Sequence, residues 1–549
     1  MAFPSAAESV PAERAARYRE EGWWLPERIG DLVLRDAPGR ADRCAAVSGD
    51  RSLTYGELAA AVDRVTAHLR RIGIATGDRV LVQLPNDLEF LVLVLALIRL
   101  GAPPVVAMPA LRQHELDHVI TVTRPVAFAV PRYSDKFDHL GMAEDLSRRH
   151  PCVRTLLVAG HDRDDHVDIG ELCWGPGDGA HDVAGIDPRH TALYLLSSGT
   201  TGPPKAIPRT HEAFGHVIRT SAEISALAPD TVYLALMPAS HSFVFGHPGM
   251  LGTLACGGTV VFATPGDPRD ALELVARERV SHCALVPALV SQWLSAAEES
   301  TCDLSSLRVL QVGGARLDAS TAQRIHDVLG CRVQQVYGMS EGLLNFTRLD
   351  DPDEVVLDSQ GRPSSPGDEV LVLDDEDRPV APGGVGELVT RGPSVIAGYY
   401  ADPETNARAF TPDGYYRTGD LVRRLPSGDY VVCGRIKDVI NRGGEKIAAD
   451  ELEALLLAHP SVRQVAAVAM PHQLYGEAVC LYVVPAGDDR PRLPELRRFL
   501  GGRGLAAFKL PARVEFVDAL PMKGVGKIDK VALRRRIADR VAAEQPTRA

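Results

Sequence analysis

The sequence predicts an α/β protein with a large N-terminal domain, made of two α/β sheet subdomains and a β-rich subdomain, and a small α+β C-terminal domain. Three observations predict this class. Apolar clusters of strand length alternate with helix-like segments through most of the chain. Short strands and turns replace that alternation from about residue 368, and the pattern changes again near residue 434. With 549 residues, the chain also exceeds what one hydrophobic core usually supports.

The clearest strand–helix–strand unit lies early in the chain. Residues 78–84 form an apolar strand-length cluster, residues 87–100 have a helix-like pattern, and residues 104–108 follow as a second strand. A helix between two such strands is typical of a parallel sheet. Further strand-length clusters lie at residues 155–158, 259–262 and 307–312, and those of the β-rich part at 369–373 and 386–390. We therefore predict domains at residues 1–434 and 435–549.

Composition excludes several classes of partner. The net charge of −12 argues against a nucleic-acid partner. The longest apolar run, Phe90 to Ile98, is about half of what a bilayer requires, so no membrane partner is expected. The first residues lack the apolar core of a secretion signal, and the nine cysteines contain no C-x-x-C pair. A cytoplasmic location is therefore expected.

A phosphate-binding loop is predicted directly after the apolar run 192–196. Its residues are Ser197, Ser198, Gly199, Thr200, Thr201, Gly202, Pro203, Pro204 and Lys205. Glycines let backbone N–H groups converge on an anion, hydroxyls add donors, and the lysine supplies a positive charge. The spacing differs from that of a Walker loop, and an ordinary turn is the alternative interpretation.

Three further segments carry candidate chemistry. Tyr337, Gly338, Met339, Ser340 and Glu341 follow a strand-like run, where the ring could cover a purine and the carboxylate could hold Mg²⁺. Asp420 follows a glycine turn and is suited to accept ribose hydroxyls, and Arg435 and Lys437 lie beside a glycine at the predicted boundary. Lys527 lies on a glycine-flanked loop. Each segment alone could be only a structural turn or solvated surface.

The order of these four elements, together with Gly313, Gly314 and Ala315, resembles the adenylate-forming superfamily, which includes acyl-CoA synthetases, peptide adenylation domains and firefly luciferase. The resemblance spans roughly residues 25 to 535. Within the superfamily the chain is most similar to the stand-alone aryl acid-AMP ligases of siderophore and antibiotic pathways, such as 2,3-dihydroxybenzoate-AMP ligase. Supporting segments are residues 14–19, 22–24, 345–351 and 440–447.

The resemblance implies ATP and Mg²⁺ as cofactors and an aromatic carboxylic acid as substrate, which is converted to an acyl-adenylate and pyrophosphate. It implies the following roles: the 197–205 loop for the β- and γ-phosphates, Gly313 to Ala315 and Tyr337 to Ser340 for the adenine side, Glu341 for Mg²⁺, and Asp420 and Arg435 for the ribose. Lys527, Glu341 and His241 are the implied catalytic residues. Lys527 would bridge the acid's carboxylate and the α-phosphate, where transition-state charge develops.

The resemblance also implies a second half-reaction, in which the acyl group passes to a thiol after a mobile C-terminal domain rotates about a hinge at Lys437. Gly443 and Gly444 would border the channel for a pantetheine arm. No carrier-type Gly-x-Ser segment follows Lys530, so an aryl carrier protein is expected to act in trans. An aryl-CoA ligase and a catalytically silent adenylate-binding protein are the alternatives, and either a monomer or a homodimer is compatible.

The acid pocket is where the chain departs from its relatives. The resemblance places His241, Ser242, Phe243, His247, Gly314, Gly338 and Leu344 around the acid. Ser242 replaces a usual Asn, His247 a usual Ser or Cys, and Leu344 a common valine. A flat aromatic acid is expected, of the type of 2,3-dihydroxybenzoate, salicylate or 3-hydroxyanthranilate. His247 could read a ring substituent or could serve packing alone.

Overall fold

The computed structural model describes residues 10–35, 37–160, 166–176, 185–197, 203–264, 266–442, 445–472, 474–487, 489–503, 505–523 and 527–544. Two predicted segments lie outside these residues: Ser198 to Gly202 of the phosphate loop, and the pair Gly443 and Gly444.

In the described residues, the helices are α1 (Ala12–Glu20), α2 (Ile29–Leu34), α3 (Tyr55–Arg71), α4 (Leu88–Leu100), α5 (Gln113–Thr123), α6 (His139–Arg149), α7 (Ile169–Trp174), α8 (His211–Ile224), α9 (Ser242–Gly246), α10 (Gly249–Ala255), α11 (Pro268–Glu278), α12 (Pro287–Glu298), α13 (Ala319–Leu329), α14 (Asp353–Asp358), α15 (Pro403–Ala409), α16 (Ala449–Leu456), α17 (Leu493–Gly501) and α18 (Lys530–Glu544). Short 3₁₀ helices lie at Pro38–Arg40, Ile436–Asp438 and Ala507–Lys509.

The strands are β1 (Cys44–Ser48), β2 (Arg51–Thr54), β3 (Val80–Val82), β4 (Pro104–Val106), β5 (Ala127–Pro131), β6 (Tyr133–Ser134), β7 (Phe137–Asp138), β8 (Thr155–Ala159), β9 (Val167–Asp168), β10 (Thr191–Leu196), β11 (Ala206–Thr210), β12 (Val232–Ala235), β13 (Thr259–Phe262), β14 (His282–Leu285), β15 (Val309–Gly313), β16 (Arg332–Gly338), β17 (Leu344–Phe346), β18 (Arg362–Pro363), β19 (Glu369–Leu373), β20 (Val385–Arg391), β21 (Tyr416–Arg424), β22 (Tyr430–Arg435), β23 (Val439–Arg442), β24 (Glu445–Ala448), β25 (Val462–His472), β26 (Gly476–Pro485), β27 (Arg513–Phe516), β28 (Met522–Lys523) and β29 (Lys527–Ile528).

The chain divides into two compact units. The first unit contains Met1–Val370 and Thr390–Tyr416, and the second contains Leu371–Val389 and Arg417–Ala549. The domain boundary that the sequence suggests after residue 434 stays a prediction.

Two α/β sheets build the first unit. One has nine strands in the order β18-β17-β16-β15-β14-β12-β13-β1-β2, and the other has seven in the order β11-β10-β4-β3-β5-β8-β9. From β16 through β1 the strands of the larger sheet are parallel, and so are those from β10 through β9 in the smaller one. The predicted α/β class is confirmed.

Helix α4 packs in the interior of the first unit, against β1 of the larger sheet and β4 of the smaller one. Its residues are apolar on nearly every side, which is typical of a fully buried helix. Asp87 caps its N-terminus, and Gly101, with φ of +72°, ends it in the left-handed conformation. Just before it, the Asn86 amide donates to the carbonyl oxygens of Ala235, Met237 and Ala263. These bonds tie the end of β3 to the ends of β12 and β13.

The second unit contains a five-stranded sheet in the order β24-β23-β26-β25, with β27 pairing with β26. Buried apolar side chains line this sheet in two clusters, one with α16 and α17 and the other with α18. A separate four-stranded sheet has the order β19-β20-β21-β22, which agrees with the short strands predicted after residue 368. Among the described residues, no helix is both long and apolar enough to cross a bilayer.

Candidate active site

The carboxyl ends of β15 and β16 lie side by side in the larger sheet of the first unit. Gly313 ends β15, and Gly338 ends β16. Gly314 has φ of +82°, a conformation that glycine adopts without strain. Ligands of α/β proteins bind at this edge of a parallel sheet. The fold therefore brings together the two segments predicted to contact adenine, Gly313 to Ala315 and Tyr337.

The pocket segment packs onto the same edge. A Cβ atom on Gly313 would lie 2.7 Å from the Val336 carbonyl oxygen, so this position requires glycine, and the same atom would lie 3.2 Å from the Phe243 ring, which packs on it. His241 is the N-cap of the short helix α9, and its Nδ1 accepts a hydrogen bond from the Phe243 N–H at 3.3 Å. The Ser340 hydroxyl donates to the Ser242 hydroxyl at 3.0 Å. Two segments about a hundred residues apart in sequence thus meet directly.

Leu344 completes this side of the candidate site. It is buried on β17, and the register pairs it with Gly338. A Cβ atom on Gly338 would lie 2.4 Å from Leu344 Cδ2. The leucine therefore packs directly on the backbone of the segment predicted to contact both nucleotide and acid.

His247 is the least solvated polar residue of the pocket segment, with 2% of its surface exposed. Its Nε2 has no hydrogen-bond partner among the described residues. Burial, helped by the charge of Arg209 and by His241, holds the pKa of His247 well below its usual range. The imidazole is therefore neutral near pH 7. The Phe214 ring lies 5.7 Å away, centroid to centroid.

Glu341, with 8% of its surface exposed, lies just beyond β16. Its Oε1 accepts a hydrogen bond from the Tyr399 hydroxyl at 2.7 Å, and no described residue donates to Oε2. Its backbone oxygen accepts from the Ile396 N–H at 2.8 Å and from Arg209 at 3.2 Å. The backbone is thus held on both sides while one carboxylate oxygen stays available.

The described residues contain no group of three or more His, Cys, Asp or Glu side chains arranged to hold a metal ion. A lone carboxylate oxygen fits Mg²⁺ only where nucleotide phosphates and water supply the other ligands, which is a common arrangement for this ion. The donor set at Glu341 therefore fits a magnesium ion that arrives with ATP.

Arg209 was not predicted from the sequence. It lies on β11 with 1% of its surface exposed and donates to the carbonyl oxygen of Ser394 at 2.9 Å as well as to that of Glu341. Burial lowers its pKa to about 10 and raises that of the nearby Asp368 carboxyl to about 7. The sequence signal that could have indicated this buried residue is a charged side chain within the mainly apolar strand β11.

Tyr399 was also missed. Its hydroxyl contacts both Glu341 and the Tyr416 hydroxyl, the latter at 2.9 Å, and the Lys205 ammonium lies 5.2 Å from the centre of its ring. Burial, with the negative charge of Glu341, raises the pKa of Tyr399 far above its usual value. Nothing in the Gly398-Tyr399-Tyr400 sequence itself indicates these contacts.

The described ends of the predicted phosphate loop close on each other. Strands β10 and β11 pair antiparallel through Leu196 and Ala206. The Ser197 N–H donates to the Lys205 carbonyl oxygen, and the Lys205 N–H donates to the Ser197 hydroxyl, both at 3.0 Å. This hairpin closure returns Lys205 to the end of β10.

The second unit holds the other predicted site residues. Asp420 and Arg435 are register partners on β21 and β22, and their side chains form an ion pair at 2.8 Å. Lys437 lies in the 3₁₀ helix Ile436–Asp438; although much of the residue is exposed, partial desolvation and the charge of Arg435 lower its pKa to about 8. Lys527 begins β29 and pairs with Lys523 of β28. The roles assigned to these residues stay predictions.

Comparison with known proteins identifies the family. The AMP-binding enzyme family matches residues 33–400, and the AMP-binding enzyme C-terminal domain matches residues 451–527. The chain is 45% identical to 2,3-dihydroxybenzoate-AMP ligase of Bacillus subtilis, across 97% of this chain and 98% of that protein. It is 44% identical to salicyl-AMP ligase / salicyl-S-ArCP synthetase of Mycobacterium tuberculosis, across 96% and 94%.

A relative of 45% identity from Streptomyces carzinostaticus, covering 95% of this chain and 96% of that protein, is named 2-hydroxy-7-methoxy-5-methyl-1-naphthoate–CoA ligase. Among solved structures, the apo structure of Mycobacterium smegmatis MbtA superimposes with a TM-score of 0.75 at 43% identity, covering 97% of this chain and 99% of that one. The chain therefore belongs to the AMP-binding enzyme family and is an adenylate-forming ligase, similar over nearly its whole length to aryl acid-AMP ligases.

Proposed function

We propose that the protein activates an aromatic carboxylic acid with ATP to give an aryl-AMP and pyrophosphate, and then transfers the acyl group to the phosphopantetheine thiol of an aryl carrier protein. The observation that carries this proposal is the sheet edge at which the pocket segment meets the Gly313–Gly314 turn and the segment that ends in Ser340 and Glu341. Full-length similarity to two aryl acid-AMP ligases supports it.

In the first step a carboxylate oxygen of the acid attacks the α-phosphorus, and the bond to the bridging oxygen of the β-phosphate breaks. Both reactants are anionic, so the barrier consists largely of charge repulsion and alignment. Lys205 would contact the departing phosphates, and Lys527 would bridge the acid's carboxylate and the α-phosphate. Glu341 would hold Mg²⁺, which neutralises phosphate charge when bound. Asp420 and Arg435 would hold the ribose.

In the second step the pantetheine thiol attacks the acyl carbon, the thiol proton is lost and AMP leaves. The two steps occur at one site but require different protein groups around the acyl carbon. Rotation about a hinge at Lys437 would replace the groups that serve the first step by those that serve the second, since a change in one or two backbone dihedrals can reorient a domain.

The pocket points to an acid with polar ring substituents. His247 is neutral, its buried Nε2 has no partner within the described part of the chain, and Ser242 offers a hydroxyl that can donate or accept. An amino group ortho to the carboxylate with a neighbouring hydroxyl, as in 3-hydroxyanthranilate, is the substrate class we propose. 2,3-Dihydroxybenzoate and salicylate are the competing acids.

Acid-dependent ATP–pyrophosphate exchange tests the first half-reaction. We would measure it over a panel of benzoates, aminobenzoates and hydroxypicolinates. Exchange that depends on an aromatic acid is the expected result, and a protein that binds ATP but catalyses no exchange with any of them would contradict the proposal.

The acceptor requires a second experiment, because a CoA ligase is among the relatives of similar identity. Enzyme, ATP and the preferred acid are mixed with either CoA or a pantetheinylated aryl carrier protein, and the thioester is quantified. Faster loading of the carrier protein supports the proposal, whereas faster loading of CoA makes the protein an aryl-CoA ligase.

We also propose a cytoplasmic location and a role in siderophore or antibiotic biosynthesis. All nine cysteines lie among the described residues and none of them forms a disulfide, as in proteins of a reducing compartment. Support for the pathway class comes from relatives named Pyochelin synthase PchD, of Pseudomonas aeruginosa, and Enterobactin synthase component E, of Escherichia coli, which are 46% and 42% identical to this chain.

A further inference from the structure

Tyr399 lies between two opposite charges that the proposed reaction uses. Its hydroxyl donates to Glu341 Oε1 at 2.7 Å, while its ring lies 5.2 Å from the Lys205 ammonium, measured to the ring centre. Lys205 and Glu341 form no ion pair with each other in the described part of the chain. One aromatic side chain therefore contacts both the predicted phosphate ligand and the predicted metal ligand.

The direction of the hydrogen bonds follows from proton counting. A phenol has a single proton, and an ionised carboxylate can only accept. Since Tyr399 donates its proton to Glu341, its oxygen accepts the proton of Tyr416 at 2.9 Å. A hydrogen bond to a carboxylate is stronger than one between neutral groups, so the Tyr416–Tyr399–Glu341 chain orients the carboxylate firmly.

The backbone of Tyr399 is clamped independently of its hydroxyl. The Tyr399 N–H donates to the side-chain oxygen of Asn406 at 2.8 Å, and the Asn406 amide donates back to the Tyr399 carbonyl oxygen at 2.9 Å. Its ring also packs edge-on against the Tyr416 ring, 6.3 Å between centroids. Removing the hydroxyl alone therefore leaves the ring in place.

In a partly dry site an ammonium and a carboxylate attract each other strongly, and a direct pair would occupy both before ATP arrives. We propose that Tyr399 is a positioning residue that keeps Glu341 and Lys205 apart, orienting the carboxylate for Mg²⁺ through its hydroxyl and offering the lysine its ring face. This inference rests on the proposed role of Glu341 in holding Mg²⁺.

The test is Tyr399→Phe, with Tyr400→Phe as the matched control. The control removes a neighbouring phenol whose ring packs against Tyr194 instead, 5.1 Å between centroids. We expect the Mg²⁺ concentration for half-maximal ATP–pyrophosphate exchange to rise roughly three- to tenfold in Tyr399→Phe, the fold-change that matches the net contribution of one ordinary hydrogen bond. The KM for the aromatic acid should stay unchanged, and Tyr400→Phe should behave as the wild type.

A second readout requires no turnover. ATP raises the melting temperature of a protein that binds it, and Mg²⁺ is titrated with ATP present and acid absent. Tyr399→Phe should need more Mg²⁺ for the same rise, while the small rise with ATP alone should match the wild type. Unchanged Mg²⁺ dependence in both measurements would overturn the inference, as would a uniform loss of kcat and of affinity for every substrate.

Glu341→Gln separates failure of the inference from failure of its premise. If Glu341→Gln raises the Mg²⁺ requirement and Tyr399→Phe does not, only the role of Tyr399 is wrong. If Glu341→Gln leaves the requirement unchanged, the metal role of Glu341 is wrong and the inference falls with it. If the wild type shows no acid-dependent exchange, the proposed function itself is wrong.

Discussion

Two neighbouring regions of the first unit differ in whether their buried polar atoms have hydrogen-bond partners. Glu341, Tyr399 and Tyr416 form a continuous chain of hydrogen bonds, and the backbone of Glu341 is held by Arg209. In the pocket segment, by contrast, the Nε2 of His247 is buried without a partner in the described structure. One region is organised before any substrate binds, and the other leaves a polar atom unsatisfied.

An unpaired buried polar group costs about 1–3 kcal/mol, so it persists where something outside the protein pairs it or where selection tolerates the loss. The paired region contains Glu341, which we propose holds Mg²⁺ in the chemistry common to adenylate-forming enzymes. The unpaired one lies in the segment proposed to face the variable part of the acid. On this proposal the contrast separates residues for the common chemistry from residues for substrate choice.

The largest expected effect is a loss of adenylation, the step that does not depend on which aromatic acid is bound. Lys527→Ala should lower adenylation by about 10²–10³-fold, the magnitude for losing one transition-state donor. Because this loss concerns the carboxylate and phosphate, the ranking of aromatic acids should not change. We would measure kcat/KM by ATP–pyrophosphate exchange for each acid, and thioester formation from pre-made acyl-adenylate, which should survive.

Lys523→Ala is the control, since Lys523 is the strand partner of Lys527 and lies 3.6 Å from Asp529. An equal loss in the two variants, or an equal loss in both half-reactions, would show that Lys527 has no special role in adenylation.

Sequence patterns predict the parts of this structure that depend on local order. Helix α4 is buried on nearly every side and capped by Asp87 and Gly101, and its sequence shows each of these features. The roles of Arg209 and Tyr399 arise from contacts with residues more than fifty positions away, which no local pattern records. The inclusion of Leu371–Val389 in the second unit is likewise a matter of tertiary packing.

The second effect separates the two half-reactions. Lys437→Pro fixes the backbone φ at the predicted hinge, so we expect adenylation close to normal and carrier loading reduced at least about tenfold, as for a blocked conformational step. Lys437→Ala keeps φ free and should load the carrier nearly as well as the wild type. Normal loading by the proline variant in a single-turnover assay would remove the hinge assignment.

The third prediction replaces two residues of the pocket segment and directly tests the contrast between the paired and the unpaired region. Ser242→Asn with His247→Ser should move preference from 3-hydroxyanthranilate toward 2,3-dihydroxybenzoate, by roughly tenfold for each 1.4 kcal/mol of differential binding. Unsubstituted benzoate should be a poor substrate of the wild type, because it leaves the buried Nε2 of His247 without a partner. The measurement is kcat/KM for 3-hydroxyanthranilate, anthranilate, salicylate, 2,3-dihydroxybenzoate and benzoate.

Glu341→Gln is the matched control for the pocket variant, since it should lower kcat/KM for every acid without changing the ranking of the acids. An unchanged ranking in the pocket variant would show that Ser242 and His247 do not read the ring. His247 would then have a packing role only, and the aminobenzoate proposal would lose its support.

The smallest effect concerns the protonation of His247 and needs no substrate. Its folded pKa lies well below the usual value of about 6.5, so below that pH the unfolded chain binds more protons than the folded one. This contribution to stability is complete above about pH 6.5 and is lost as the pH falls toward the folded pKa, at about 1.4 kcal/mol per pH unit. His247→Ser removes this loss. Its melting temperature should therefore fall less than that of the wild type between pH 7.5 and 5.5, by about 1 °C.

Four other buried histidines, His139, His211, His216 and His282, have pKa values lowered to about 4, mainly by burial. They add the same acid sensitivity to both proteins, so only the difference between the two slopes is informative. His326→Asn, at a side chain that is 70% exposed, should keep the wild-type slope. If His247→Ser kept that slope as well, His247 would not be a buried neutral group in solution. The contrast between a paired and an unpaired region would then be lost, because water would already satisfy the atom that we propose the substrate's ring to bind.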